Sequence, residues 1–367
     1  MAAGAYARTP VASQDAFNCV AITRRCFLRG VAVTAALTMA GFTPRRARGQ
    51  KNLALEILRN HPSIDIHAHP GRFFSGVLNE ERIWAMITGR MTACVFSAVA
   101  DTNILAKRPG GFYAYREFSP GESYSSTYLQ INRVVEEINA GKLVQIHTPP
   151  EIVRAQVQGR PGAILAVEGG DFLEGRIERV QEAYDKGIRS IQLVHYHINE
   201  LGDIQTELPR HNGLTSFGAE VIREMNRLGM VVDLAHATFD MTKAAVEVTS
   251  RPVMLSHSLI GSSHPRLISK DHARLIAKTD GVIGAWAVRG PRSTFSRYID
   301  HIEKLVDAVG IDHVGIGTDM DGAPLVITYE EWPKIPAALL ARGYSRNDVA
   351  KVMGGNFMRM FKAVSTV

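Results

Sequence analysis

The segment Ser63-Ile64-Asp65-Ile66-His67-Ala68-His69 runs from branched aliphatic residues straight into two imidazoles. Its apolar stretch is too short for an ordinary helix, and its β-branched character suits a strand. A brief apolar run ending at or near a polar residue recurs at 91–100, 163–168, 190–195, 230–236, 253–257, 281–288 and 313–319. Amphipathic stretches at 218–228, 241–249, 270–279 and 298–309 lie between these runs and read as helices. Strands alternating with helices imply a parallel sheet covered on both faces. Eight of them imply an α/β chain folded as a (β/α)8 TIM barrel. An open doubly wound sheet is the alternative, but no Gly-rich dinucleotide turn follows the first run. Residues 101–162 are too many for one connection, which predicts an insertion between strands 2 and 3, or a ninth strand. Within it the pattern predicts a helix over 126–140, a strand-like piece at 143–147 and a helix over 150–158.

The charge of the chain is concentrated at its start. The formal net charge is +6, yet residues 1–50 hold seven arginines, no lysine and a single acid, Asp15. The remainder carries 35 basic and 35 acidic residues, so its balance is neutral. Nucleic-acid binding, which needs a clustered basic surplus, is not expected. The basic start contains Thr23-Arg24-Arg25-Cys26-Phe27-Leu28 followed by an apolar stretch from Val31 to Phe42. That is the pattern of a twin-arginine export signal, with an apolar core too short to span a bilayer comfortably. Residues 1–50 are therefore read as a signal region and 51–367 as a hydrolase barrel, periplasmic or extracellular, with cleavage near 47–50. An uncleaved N-terminal anchor is the competing reading, and no stable membrane anchor is expected. Cys19 and Cys26 belong to the leader, which leaves Cys94 without a partner for an internal disulfide.

Strand C-termini of a barrel converge on one face, so residues far apart in sequence meet there. His67 and His69 share one face of their strand by its two-residue period. Glu168 ends the third run, His236 the fifth, His257 the sixth and Asp319 the eighth. Any one of these is weak; their joint occurrence at successive strand ends points to a metal centre. Imidazoles and carboxylates without thiolate suit Zn2+, with Mn2+, Co2+ or Fe2+ as alternatives. Five ligand candidates are too many for one catalytic ion and fit two that share Glu168. One ion would take His67, His69 and Glu168, and the other Glu168, His236 and His257. Asp319 would then serve as the acid/base beside a metal-bridged hydroxide.

The blocks Asp65-Ile66-His67-Ala68-His69-Pro70, Val167-Glu168-Gly169-Gly170, Leu193-Val194-His195, Asp233-Leu234-Ala235-His236, Ser256-His257-Ser258, His264-Pro265-Arg266 and Gly317-Thr318-Asp319-Met320-Asp321-Gly322 occur in this order. In that order and spacing the chain resembles the membrane (renal) dipeptidase family of zinc metallopeptidases, a branch of the amidohydrolase-like barrels. The resemblance runs from about residue 64 to 361. It implies a dinuclear zinc dipeptidase acting on small dipeptides, with His67, Glu168, His236 and His257 as ligands and Asp319 as acid/base. It further implies that His195 binds the scissile carbonyl and Arg266 the terminal carboxylate of the substrate. A guanidinium suits that second task because it pairs bidentately with a carboxylate. Three positions depart from the family pattern. His69 stands where the family has Asp, raising the charge of the site; Leu267 replaces an Asn; His197 is unusual. Hydrolysis of another small carboxylate-bearing amide, an N-acyl amino acid or a lactam, is the alternative activity. A non-catalytic metal-bearing binding protein is the alternative class. A homodimer is compatible with the sequence, without an interface signal to argue it.

Overall fold

The computed structural model describes residues 44–71, 78–109, 111–290 and 292–366. The chain divides into two units, residues 1–47 and 48–367. The twin-arginine stretch and the apolar run behind it lie outside the described residues. The second unit holds the barrel.

Among the described residues, eight parallel strands close into a barrel. They are β1 (Ile64–Ala68), β2 (Ala93–Val99), β6 (Gly162–Glu168), β7 (Ile188–Gln192), β8 (Val231–Asp233), β9 (Met254–Ser258), β10 (Val282–Ala285) and β11 (Val314–Ile316). Closure takes place at two seams. The first strand pairs with the last at Asp65↔Ile316. β2 pairs with β6 from Ala93↔Gly162 through Val99↔Glu168, across the whole insertion. A ring joined in this way excludes the open doubly wound sheet. All eight expected runs contain a barrel strand, because parallel strands with both faces covered read as unbroken apolar stretches. β2, Ala-Cys-Val-Phe-Ser-Ala-Val, is buried at every residue.

The helices follow from their apolar spacing and their caps. In Phe295–Val309 the buried residues Tyr298, Ile299, Ile302, Leu305 and Ala308 recur at three- and four-residue intervals, and the Thr294 side chain accepts from Arg297 N. Ser216–Leu228 buries Val221, Ile222, Met225 and Leu228 in the same way under a Thr215 cap.

The insertion between β2 and β6 holds more than its pattern predicts. An antiparallel hairpin, β3 (Leu105–Arg108) and β4 (Gly111–Ala114), precedes the helix Glu122–Asn139. β5 (Val144–Gln145) then lies parallel to the first two residues of β6, outside the closed ring, and the helix Pro149–Gln158 follows. Arg108 ties the hairpin to the loop after β7 through Thr206 O and the Glu207 carboxylate. Among the described residues no helix is long and apolar enough to cross a membrane.

Candidate active site

His67, Glu168 and His257 stand on the ends of β1, β6 and β9, and His69 lies just beyond β1. His195, His236 and Asp319 each come three residues after their strands, β7, β8 and β11. His236 (φ 67°) and Asp319 (φ 62°) adopt left-handed backbone, a conformation that non-glycine residues take at a cost and that is frequent in functional turns. All seven are buried, at 8% exposure or less. Every candidate drawn from the sequence, Arg266 included, meets in this one cluster.

Glu168 is the centre of the arrangement. Its Oε2 lies 3.5 Å from both His67 Nε2 and His69 Nε2. Its Oε1 lies 3.3 Å from His236 Nε2, 3.6 Å from His195 Nε2 and 3.7 Å from His257 Nε2. The Gln192 amide donates to the same Oε1. His69 Nε2 faces Asp319 Oδ1 at 2.9 Å. Three sets could hold a cation: His67–His69–Asp319, His67–Glu168–His257 and Glu168–His195–His236.

The far nitrogen of most of these rings is already engaged, which fixes the ring and aims Nε2 inward. His69 Nδ1 donates to Ser97 O at 3.0 Å, so its Nε2 is left to face the cluster. Ser97 Oγ lies 3.4 Å from His67 Nδ1, Ser256 Oγ 3.0 Å from His257 Nδ1, and Asp101 Oδ1 2.7 Å from His195 Nδ1. Beneath them, the buried Asp65 carboxylate accepts from Thr318 N, Thr318 Oγ1 and Tyr329 OH, pinning the β11 loop to β1. Burial pushes Asp65 up to about 6 against the pull of those bonds.

Electrostatics sort the imidazoles into two groups. Burial, with the Arg266 charge near both, holds His236 and His257 well below the ordinary histidine range, so both stay neutral, the form in which an imidazole coordinates a metal. Burial also pulls His69 down, but its bond to Asp319 and the charges of Glu168 and Asp319 outweigh it and set it at about 9. Burial likewise opposes ionisation of Glu168, and the surrounding imidazoles His195 and His67 reverse that, holding it well below the carboxylate range.

Arg266 is buried in the wall. Its Nη1 donates to Gln205 Oε1 at 2.5 Å and its Nη2 to His257 Nε2 at 3.0 Å, while its Nε–H has no acceptor among the described residues. The cluster opens into a cavity of about 330 Å3, mouth included, whose lining also takes in Phe112, Tyr196, Trp286 and Gly322. Trp286 Nε1 donates to Asp319 Oδ2 at 3.0 Å.

Ser97, Asp101, Gln192, Gln205, Phe112, Tyr196 and Trp286 are missing from the sequence-derived set. Asp101 could have been found there, as a carboxylate directly after an apolar run. The others carry no metal-type chemistry and had no signal. β2 and β10, the two strands without a ligand-type candidate, contribute through such groups: Ser97 and Asp101 from one, Trp286 from the other.

The residues fit a metal centre on two observations. Among the described residues, His67 Nε2 and Glu168 Oε2 face each other fully buried with no hydrogen-bond partner, an arrangement too costly to leave uncompensated. The donor set is imidazole and carboxylate, the chemistry of zinc and its neighbours.

The comparisons with known proteins agree. Residues 56–367 match the model of the membrane dipeptidase family, peptidase family M19. The chain is 27% identical over 319 residues to Dipeptidase tcpJ of Claviceps purpurea, covering 83% of this chain and 73% of that one. It is 30% identical over 259 residues to Dipeptidase verJ of Clonostachys rogersoniana, covering 67% of each. The crystal structure of an amidohydrolase from Pseudomonas aeruginosa superposes with a TM-score of 0.71 at 24% identity, over 86% of this chain and 99% of the other.

Proposed function

The chain belongs to the membrane dipeptidase family, peptidase family M19, and from this we propose that it hydrolyses small dipeptides at a site holding two divalent ions, zinc foremost. The supporting observation is Glu168, whose two oxygens face different sets of imidazoles as a bridging carboxylate would. In this reading His67, His69 and Glu168 would hold one ion, and Glu168, His236 and His257 the other. When bound, such ions supply Lewis acidity and a water of lowered pKa.

The chain's own groups do the rest. Arg266 receives the terminal carboxylate of the dipeptide through its unpartnered Nε–H and the guanidinium charge. His195, held by Asp101, presents Nε2 toward the scissile carbonyl. Asp319 accepts a proton from the attacking water and returns it to the amide nitrogen as the C–N bond breaks. Residues 1–50 act as a twin-arginine export leader in the same reading, and the barrel works outside the cytoplasm. Replacing Arg24 and Arg25 by Lys and following the protein between cell fractions tests that part.

The central test is metal stoichiometry and turnover on protein purified without chelator. His257→Ala should lose metal. Asp319→Asn should keep it while kcat falls about 10²–10⁴-fold. Absence of bound divalent metal, or of cleavage of every dipeptide in a panel by metal-loaded protein, sinks the proposal. Cleavage of N-acyl amino acids instead would move the substrate to another small amide.

A further inference from the structure

A carboxylate that shuttles a proton must present one chosen oxygen to the reacting water, yet its side chain can rotate. Both oxygens of Asp319 have a polar neighbour. Oδ1 faces His69 Nε2 at 2.9 Å, on the side of the cluster. Oδ2 accepts from the indole N–H of Trp286 at 3.0 Å. Trp286 is the residue directly after β10. Its own place is fixed: its backbone N–H donates to Ser258 O at 3.1 Å. Its ring meets His257 edge-on with centroids 5.7 Å apart, and the Arg266 guanidinium carbon lies 5.5 Å from the ring centroid.

We propose that Trp286 is a positioning residue for the acid/base step, its indole N–H clamping Oδ2 of Asp319 so that Oδ1 is the oxygen turned toward the reacting water. This rests on Asp319 acting as the acid/base. Trp286 itself has no atom that would coordinate an ion. The indole is a less readily exchanged partner than solvent, since a rigid aromatic donor has only two side-chain torsions to fix.

A second role for the ring would be as a wall. Trp286 also lines a separate, largely apolar cavity of about 880 Å3, open mouth included, among Leu259, Leu267, Val288 and Tyr298. A wall requires only the aromatic surface, whereas a clamp requires the N–H. Phenylalanine keeps the first and removes the second.

The experiment is a double-mutant cycle on the metal-loaded protein with Trp286→Phe, Asp319→Asn and the pair. Trp286→Phe alone should lower kcat about 10- to 100-fold, the scale of one hydrogen bond to a charged group, with KM within about twofold and metal content unchanged. On the Asp319→Asn background the same change should cost less than about twofold. A wild-type kcat in Trp286→Phe overturns the proposal. So does an equal loss on both backgrounds, which would mean that the indole acts through packing alone. An independent readout is the Trp286 indole proton in an NMR spectrum, assigned by its absence in Trp286→Phe; it should move when Asp319 becomes Asn, and an unmoved signal overturns the clamp. If the wild-type protein cleaved no dipeptide, the dipeptidase reading would fall while this resonance still decided the contact.

Discussion

Gly322 is the residue on which the working pair of the site leans. A Cβ placed there would sit 2.1 Å from Asp319 Oδ1 and 2.6 Å from His69 Nε2, inside the space of both atoms. Any side chain at 322 must displace the carboxylate, the imidazole or the loop that carries them. Gly322→Ala should therefore lower kcat about a hundredfold, the cost of moving a reacting group by roughly 1 Å. The core is untouched, so thermal unfolding should change little; steady-state kinetics beside a melting curve checks both halves. His69, set at about 9 and bound to Asp319, places an imidazole beside the proposed acid/base group.

At the scale of elements, the insertion is joined to the barrel by charge as well as by packing. His197 Nδ1 lies 2.6 Å from the buried Asp171 carboxylate, and its Nε2 lies 3.3 Å from Glu117 of the insertion. Burial draws His197 down, but the Asp171 bond and charge dominate and raise it to about 9. A histidine raised above its unfolded value of about 6.5 contributes stability that is complete below that value and is lost as pH climbs through about 9. His197→Gln should thus melt below the wild type at pH 6–7, and the two curves should converge above about pH 10 in a series of melts. The barrel strands around this joint were legible in the sequence, because each is a continuous apolar run bounded by a polar end. The hairpin from Leu105 to Ala114 was not. Leu-Ala-Lys-Arg and Gly-Phe-Tyr-Ala show no strand alternation, and the pairing, not local preference, makes them strands. Phe112, which that hairpin brings to the cavity, was hidden with it.

For the molecule as a whole, the candidate site is a junction of the entire barrel. Its ligand-type groups come from six strands, and Ser97 and Trp286 extend it to the remaining two. The strand-end residues could be read from sequence because their chemistry is explicit. The groups that orient them could not, since a serine, a glutamine or a tryptophan declares no role until its neighbours are known. Because metal would tie these strands together, chelation should lower Tm. Metal at a hundredfold its Kd should restore about 2.7 kcal/mol, seen by calorimetry with and without added zinc. The seam between first and last strands carries a consequence in time. Asp319 N donates to His67 O, and Thr318 reaches Asp65, across some 250 residues of chain. A nascent chain paused before residue 314 has already made every imidazole of the centre, yet has no pocket to put them in. The last strand of the barrel to be synthesised completes the candidate site, so metal loading should wait on the closed ring.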